Sequence, residues 1–333
     1  MPEFRAFQAL IPRRNPEKVS SPPYDVLSLE ECREIVRENP LSFVRVARPE
    51  LEFADDVNPY SDQIYERAKQ NFMDIRMKTP YLKDSDSFHY IYRLKMGDHV
   101  QFGVAGLVST DDYKADKIKK HEKTRKDKED DRMRHILKIR SHSGPVLLTY
   151  KDDENINQII SDFTEKQAPF IDFIAENNVQ NSIWKVKNDK LNTLFEKIDA
   201  FYIADGHHRA ASALRVAEEI NKNGKKEGGH NYFLAVAFPS KQMKILPYNR
   251  ILTDFNGKTE DDLLKFIDLK FGILSRNVNF PSKTGQICLI TKNHKIIFSV
   301  SSFKDSGRDA ESNLDVAILQ EEILDEFFGV KDP

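Results

Sequence analysis

Two histidines and an arginine follow an Asp-Gly pair in residues 205–209, which read Asp-Gly-His-His-Arg. Imidazole and guanidinium groups donate hydrogen bonds to anions, and one guanidinium group can hold a phosphate with two donors. Gly206 allows a ligand to approach the backbone closely, and the Asp205 carboxylate is a ligand type that Mg²⁺ prefers. These residue types predict a phosphate or nucleotide pocket with a magnesium ion. The assigned phosphate contacts are Gly206, His207, His208 and Arg209, and the assigned metal ligand is Asp205.

The residues around this motif are predicted to place it at the start of a helix. Residues 201–203 are an apolar run and residues 210–214 are rich in Ala and Leu. This order indicates a buried strand, a glycine turn and a helix over 207–221. The first turn of a helix has unpaired backbone N–H groups and the positive end of the helix dipole. The sequence therefore predicts that an anion binds at this helix N-terminus.

Two other interpretations of the motif stay open. A zinc site is the weaker one, because adjacent side chains on a helix diverge by about 100°. His207 and His208 would therefore not converge naturally on one ion, and no Cys lies nearby. In a purely structural role, the two histidines would cap the helix or lie on the surface.

The segment 119–132 is the second candidate, because it contains seven Lys or Arg and five Asp or Glu residues. If the segment is helical, side chains three and four positions apart share one face. One stripe on that face is then entirely cationic and consists of His121, Arg125, Lys128, Arg132 and His135. Such a stripe could face a polyanionic ligand, and Arg132 is assigned to the cofactor. The alternative is a solvated helix with ion pairs along its surface.

Two shorter segments present polar groups from proline-containing turns. Residues 21–26 (Ser-Pro-Pro-Tyr-Asp-Val) are either a lid over a ligand or a connection that proline makes rigid. Residues 247–250 (Pro-Tyr-Asn-Arg) interrupt a strand predicted over 244–252, where their polar side chains contact either a ligand or a structural ion partner. The assigned substrate-binding residues are Tyr24, Asp25, Asn249 and Arg250.

Composition limits the classes of protein to consider. The 333 residues include 39% hydrophobic and 31% charged residues, which is ordinary for a globular protein. The net charge of −2 gives no general attraction to nucleic acid or to an anionic membrane. Two Cys residues do not form a disulfide framework, and no apolar run is long enough to span a bilayer. The N-terminus lacks the apolar core of a signal peptide, so a cytoplasmic protein is expected.

Strand and helix patterns are mixed along the chain without strict alternation, which predicts an α+β or mixed α/β fold. A helix is expected to start at Asn58 and Pro59, and a hairpin is expected to turn at Gly97 and Asp98. Domain boundaries are weakly marked. The predicted division is an N-terminal α+β region (1–114), a central region with the candidate motifs (115–255) and a C-terminal α+β region (256–333), or else one compact unit.

Four of these segments together resemble the uncharacterised bacterial and archaeal family catalogued as domain of unknown function 1015. They are residues 22–26, residues 121–124 with Asp131 and Arg132, residues 205–209, and residues 247–250. Residues 314–316 and 323–324 also resemble that family, so the resemblance extends over nearly the whole chain. It implies no function, because the family has none assigned.

The Asp-Gly-His-His-Arg segment is also similar to the phosphate-binding box of the ParB/sulfiredoxin-like superfamily. That group includes nucleotide-dependent free-serine kinases, and the resemblance implies a ParB-like core with large additions. It further implies that Asp205 serves Mg²⁺ and that residues 206–209 bind the phosphates of ATP or ADP. By the same resemblance, Glu122 of the His121-Glu122 pair is the base that accepts the proton of a substrate hydroxyl.

The leading hypothesis is a nucleotide-dependent phosphotransferase that acts on a small hydroxylated metabolite such as free L-serine. The alternative is a regulatory protein that binds a nucleotide or phosphate without turnover. Nucleic-acid binding is not expected, because the charge is near neutral and no helix-turn-helix is evident. A sulfiredoxin-like reductase is not expected either, because no Cys lies in or beside residues 205–209. The oligomeric state and the choice among ATP, ADP and CTP stay open.

Overall fold

A computed structural model describes residues 1–79, 81–224, 226–247, 249–278, 280–304 and 307–331. The chain divides into two compact units, which are Met1–Ile245 (unit 1) and Leu246–Pro333 (unit 2). The predicted mixed α/β class is confirmed, because strands and helices alternate irregularly around a sheet with both parallel and antiparallel pairs. Among the described residues, no helix combines the length and the apolar character that crossing a bilayer requires.

Unit 1 contains the first eleven strands. They are β1 (Phe4–Arg5), β2 (Leu10–Pro12), β3 (Tyr81–Lys83), β4 (His89–Met96), β5 (His99–Ser109), β6 (Ile118–Lys119), β7 (Val146–Tyr150), β8 (Ile171–Ile174), β9 (Gln180–Val186), β10 (Phe201–Asp205) and β11 (Tyr232–Pro239). These counts refer to the described part of the chain. The predicted hairpin is confirmed, since β4 and β5 pair antiparallel on either side of Gly97 and Asp98.

The helices of unit 1 lie between these strands. They are α1 (Pro16–Val19), α2 (Leu29–Glu38), α3 (Val44–Ala47), α4 (Asp62–Lys78), α5 (Thr110–Lys114), α6 (Lys126–Ile139), α7 (Glu154–Lys166), α8 (Asp189–Phe195) and α9 (His207–Lys222). The predicted start of α4 at Asn58 and Pro59 is wrong, because the helix begins at Asp62 with Ser61 as its N-cap residue.

Nine of the described strands form one sheet in the order β6-β10-β7-β11-β5-β4-β9-β8, with β1 paired to β5. The pairs β6/β10 and β7/β11 are parallel, and the other pairs are antiparallel. Strands from the predicted regions 1–114 and 115–255 therefore contribute to the same sheet. Its core contains Ile91, Val104, Leu148, Phe201 and Ala210, each less than 1% exposed.

The parallel pair β6/β10 lies at one side of the sheet and determines where the candidate motifs meet. Ile118 is opposite Phe201 and Lys119 is opposite Tyr202. Since the two strands run in the same direction, their C-terminal ends reach the same edge of the sheet. The chain after β6 enters residues 120–125, and the chain after β10 enters Gly206 and helix α9.

Unit 2 is built around a smaller antiparallel sheet. Its elements are α10 (Glu260–Phe271), β12 (Ile273–Arg276), β13 (Gln286–Ile290), β14 (Lys295–Ser299), α11 (Asp315–Leu319) and a π-helical stretch, Gln320–Asp325. The sheet order is β12-β14-β13. Leu263, Ile267, Phe298 and Leu324 lie in its core. The predicted strand over 244–252 is wrong, because its described residues, 244–247 and 249–252, have no strand structure.

The predicted cationic stripe on residues 121–135 does not form. Helix α6 begins at Lys126, so His121 and Arg125 precede it. Arg132 and His135 are buried, with 7% and 1% of their surface exposed. The Nε2–H of His135 donates to the carbonyl oxygen of Val46 at 2.7 Å. Two members of the predicted stripe are therefore buried, whereas His121, Arg125 and Lys128 are exposed.

Candidate functional site

The Asp-Gly-His-His-Arg segment forms the predicted strand end, turn and helix start. Gly206 is the N-cap residue of α9 and has φ 96° and ψ 31°, a backbone conformation that favours glycine. The N–H of Ala210 is the first in the helix to reach an intrahelical acceptor, the carbonyl oxygen of Gly206, at 3.0 Å. No side chain in the described part of the chain caps this terminus. The backbone N–H groups of residues 207–209 are therefore oriented to bind an anion.

Glu122 contacts the first residue of α9. Its Oε2 lies 3.2 Å from Nδ1 of His207, whose side chain is only 2% exposed, whereas the Glu122 side chain is 53% exposed. His121 and His207 are 86 positions apart in the sequence, and the parallel pairing of β6 with β10 brings their segments together. The His-Glu motif and the Asp-Gly-His-His-Arg motif are therefore in contact.

The His207 ring contacts both His121 and Glu122. Its Nε2 accepts a hydrogen bond from the backbone N–H of His121 at 3.4 Å. The two imidazole rings meet edge to face, with their centroids 4.4 Å apart. Burial lowers the pKa of His207 below its ordinary value, and the nearby His121 lowers it further, against the opposing effect of Glu122 and Asp205. His207 is therefore neutral at pH 7, with its proton on Nδ1 facing Glu122.

His208 makes a similar contact one position further along the helix. Its Nε2 accepts a hydrogen bond from the backbone N–H of Arg125 at 3.2 Å. The Arg125 side chain points elsewhere and forms an ion pair with Asp127 at 2.9 Å. Adjacent histidines on α9 thus bind two different points of residues 120–125 instead of one shared ligand.

Arg209 folds back beneath the glycine turn. Its guanidinium group donates hydrogen bonds to the carbonyl oxygen of Pro145 and to the carboxylate of Asp205. A Cβ atom on Gly206 would lie only 3.1 Å from this guanidinium group, and one on Gly144 would lie 3.7 Å from it. Because strand β7 is antiparallel to β10, its first residues reach the same edge of the sheet. Arg209 therefore joins two strand ends at the site.

Asp205 meets the minimum requirement for a magnesium ligand. Its side chain is 57% exposed at the end of β10, although Arg209 is its partner here. Among the described residues, no group of three or more His, Cys, Asp or Glu side chains is arranged to hold a metal. Mg²⁺ commonly uses one or two carboxylates together with water and substrate phosphates. Asp205 fits that mode of binding, in which a nucleotide supplies the other ligands.

Tyr24 contacts helix α6. The Arg132 guanidinium group stacks on its ring, 4.4 Å from the centroid. Burial raises the pKa of Tyr24 above its ordinary value, whereas the positive charges of Arg132 and Arg209 act to lower it. The contact with Arg132 connects residues 22–26 to helix α6, whose Glu129 and Asp130 pair with Arg215 of α9.

All three guanidinium nitrogens of Arg132 donate hydrogen bonds to protein groups. Its Nε and Nη2 donate to Asp131 at 2.9 and 2.7 Å, and its Nη1 donates to the carbonyl oxygen of Ala47 at 3.3 Å. These contacts position Arg132 beneath Tyr24. Its assignment to the cofactor stays a prediction that requires these bonds to rearrange.

The other assigned substrate residues belong to different units of the chain. Asp25 is exposed beside Tyr24 in unit 1. Asn249 and Arg250 are exposed residues without regular secondary structure in unit 2, and Tyr248 lies outside the described residues. The assignment of Asn249 and Arg250 to the substrate stays a prediction.

Three residues that hold the site together were missed by sequence reasoning. Arg48 donates to the carbonyl oxygens of Tyr24 and Leu27, at 2.8 and 3.0 Å, and so fixes the turn that carries Tyr24. The Asp131 carboxylate accepts hydrogen bonds from the Arg132 guanidinium group and from the Tyr65 hydroxyl, the second at 2.9 Å. The Glu129 carboxylate forms an ion pair with Arg215 of α9 at 3.2 Å. Asp131 alone had a local signal, because it precedes Arg132 in one of the segments that resemble the uncharacterised family.

Comparison with known proteins assigns a family to the whole arrangement. The family described as "Protein of unknown function (DUF1015)" matches residues 4–317. The chain belongs to this family. No curated protein and no solved structure matches the chain. The matched DUF1015 region includes all of unit 1 from Phe4 onward, and with it every contact described above.

Proposed function

We propose that this DUF1015 protein is a nucleotide-dependent phosphotransferase that acts on a small hydroxylated metabolite, such as free L-serine. The observation that carries the proposal is the contact between Glu122 and His207 at 3.2 Å. It brings a partly exposed carboxylate to a helix N-terminus that is suited to phosphate. A proton acceptor beside a phosphate site is the combination that phosphoryl transfer to a hydroxyl group requires.

The nucleotide phosphates would bind at the first turn of α9. The backbone N–H groups of residues 207–209 and the positive end of the helix dipole provide the anion site. Arg209 adds a guanidinium group whose side chain is 16% exposed. We expect a phosphate to compete with Asp205 for this group, which releases the Asp205 carboxylate for Mg²⁺.

Glu122 would act as the base. Its Oε2 lies 3.2 Å from Nδ1 of neutral His207, and its side chain is exposed enough to meet a substrate. In this role the carboxylate accepts the proton of the acceptor hydroxyl as that oxygen attacks the terminal phosphorus. The bond from this phosphorus to the bridging oxygen breaks, and the shortened nucleotide leaves with that oxygen. Bound Mg²⁺ would neutralise charge on the phosphate oxygens. The ParB/sulfiredoxin-like resemblance supports this division of roles.

Calorimetric titration tests the phosphate site. We expect the wild type to bind ATP, ADP or CTP in the presence of Mg²⁺. We expect Arg209→Ala to lower the affinity for the preferred nucleotide at least tenfold, because a charge-assisted contact to phosphate contributes about 1.5–3 kcal/mol. Arg37→Ala is the matched control, since it removes an exposed arginine from helix α2 of the same unit. Absence of binding to the wild type would contradict the nucleotide proposal.

A turnover assay with Glu122→Gln tests the base. We expect nucleotide binding to persist and phosphoryl transfer to fall by about 10²- to 10⁴-fold, the usual contribution of a general base. The assay measures loss of the nucleotide's terminal phosphate with serine and other hydroxylated metabolites as acceptors. Equal rates for wild type and Glu122→Gln would remove Glu122 from the mechanism.

A second candidate function is nucleotide or phosphate binding without turnover, in a regulatory protein. The Asp205–Arg209 ion pair favours it, because it occupies the carboxylate that catalysis would need for the metal. In that case nucleotide would bind, no acceptor would be phosphorylated, and Glu122→Gln would change nothing.

A further inference from the structure

Residues 120–125 connect β6 to α6 without regular secondary structure and carry Glu122. Backbone N–H groups in such a connection need acceptors from elsewhere in the protein. Two of them, those of His121 and Arg125, find acceptors in imidazole nitrogens of the first turn of α9. The connection is thus attached to α9 on both sides of Glu122.

We propose that His207 and His208 are positioning residues that hold residues 120–125 against α9 and thereby fix the Glu122 carboxylate at the site. This inference rests on the proposed function only in giving Glu122 a chemical role. The attachment of the connection to α9 is a separate claim about the protein itself.

His207 is suited to this task by the complementary use of its two ring nitrogens. Nε2 accepts the His121 N–H at 3.4 Å and is therefore unprotonated, so the proton of the neutral ring is on Nδ1. Nδ1 lies 3.2 Å from Oε2 of Glu122. Both contacts are compatible with this one tautomer. His207 is 3% exposed, so water has little access to compete for either contact.

His208 uses its Nε2 as an acceptor as well, for the N–H of Arg125 at 3.2 Å. A nitrogen that accepts a hydrogen bond cannot at the same time donate one to a phosphate oxygen. In this arrangement the Nε2 atoms of both histidines accept hydrogen bonds from the protein backbone. Phosphate recognition then falls to the backbone N–H groups of residues 207–209 and to Arg209.

The far end of the connection has an independent anchor. The hydroxyl of Thr124 donates to Oε1 of Glu129 at 2.5 Å, and Oε2 of the same carboxylate lies 3.2 Å from Arg215 of α9. Removing the His208 contact therefore loosens part of the connection while the Glu129 anchor remains. This makes His208 a better test than a change that detaches the whole segment.

Limited digestion with trypsin measures the attachment without any nucleotide. Trypsin cleaves after Lys and Arg in extended, mobile segments, and the connection with its flanks offers Lys120, Lys123, Arg125 and Lys126. A substitution at residue 208 leaves this local sequence unchanged, because Arg125 and His208 are 83 positions apart. Mass spectrometry of the fragments identifies the cleaved bond.

We expect His208→Ala to accelerate cleavage within residues 120–126 by roughly two- to tenfold, the range that corresponds to one net hydrogen bond. His208→Gln should restore slow cleavage, because its amide oxygen can accept the Arg125 N–H. His294→Ala, in unit 2, is the matched control for a histidine removed elsewhere, and it should leave cleavage of this segment unchanged.

Two results would overturn the inference. One is an unchanged cleavage rate in His208→Ala. The other is equal acceleration in His208→Ala and His208→Gln, because it would show that the hydrogen-bond acceptor at position 208 does not hold the segment. Neither depends on nucleotide binding or turnover. Failure of the nucleotide titrations, with the expected digestion pattern, would reject the proposed reaction and keep the role of the histidines.

Discussion

At the scale of single residues, Gly206 satisfies two requirements at once. Its φ of 96° is a conformation that residues with a Cβ rarely adopt. A Cβ atom there would also lie 3.1 Å from Cζ and Nε of Arg209. The glycine therefore allows both the turn after β10 and the position of the guanidinium group beneath it.

We expect Gly206→Ala to lower the free energy of unfolding by about 1–2 kcal/mol through backbone strain, and also to weaken nucleotide binding because the guanidinium group must move. Gly224→Ala is the control, since Gly224 has φ 88° but a Cβ atom there would meet no atom within 4 Å. It should share the strain and keep the affinity. Urea unfolding and calorimetry measure the two effects. Equal loss of affinity in both variants would contradict the steric part of the explanation.

At the scale of elements, α9 and α6 are joined along their length. Ser212 of α9 is fully buried, and its Oγ lies 2.6 Å from the carbonyl oxygen of His208 and 3.2 Å from that of Glu129. Further along, Arg215 contacts Glu129 and Asp130 of α6. A small side chain at position 212 lets the two helices approach closely, so the packing that supports the site depends on it.

We expect Ser212→Val to lower the free energy of unfolding by about 1–3 kcal/mol, because a larger side chain must be inserted into a closely packed contact. Ser212→Ala removes only the hydroxyl and should cost about 1 kcal/mol. Urea unfolding of both variants measures the difference. If Ser212→Val is no less stable than Ser212→Ala, the helices are not in the close contact inferred here.

At the scale of the whole molecule, unit 1 buries histidines that must stay neutral. His89 and His135 are each 1% exposed. Burial lowers the pKa of each to about 4. Burial also lowers the pKa of His142 and His207 below the ordinary value. All four residues lie in unit 1, so its stability is expected to depend on pH.

In the unfolded chain a histidine takes up a proton near pH 6.5, whereas His89 and His135 stay neutral in the folded protein down to about pH 4. The unfolded state therefore binds more protons in that interval, and stability falls as the pH falls through it. Between pH 7 and pH 5 we expect a loss of about 2 kcal/mol for each of the two.

Urea unfolding at pH 7, 6 and 5 measures this slope above the range in which most carboxylates titrate. His89→Phe is the comparison, because it keeps a ring against Phe4, which stacks on His89 at 5.4 Å, and removes the titrating group. Its stability should fall less steeply with decreasing pH. An identical slope would show that His89 does not contribute.

Local signals in the sequence were sufficient for most of the elements around the site. The strand, glycine turn and helix of residues 201–222 follow from an apolar run, one glycine and a run of small residues. Signals that depend on context failed. Asn58 and Pro59 resemble a helix start, yet α4 begins at Asp62, and the apolar residues around 244–252 form no strand where they are described.

The chemistry of the candidate residues was readable from their types, but their partners were not. Arg132 belongs to a cationic pattern in the sequence, and the fold buries it against Asp131 and the Tyr24 ring. Residue type determines which groups can bind a phosphate. Burial and partners determine which of those groups are available, and both depend on contacts between distant segments.

The sequence by itself determined the Asp-Gly-His-His-Arg turn at a helix start, because backbone preferences and helix signals act over a few neighbouring residues. Only the tertiary structure decided that Glu122 meets His207 and that Tyr24 stacks on Arg132. The first contact depends on the parallel pairing of β6 with β10, and the second on the packing of residues far apart in the chain. Such pairings are selected by the burial of the whole core, so no local pattern reveals them.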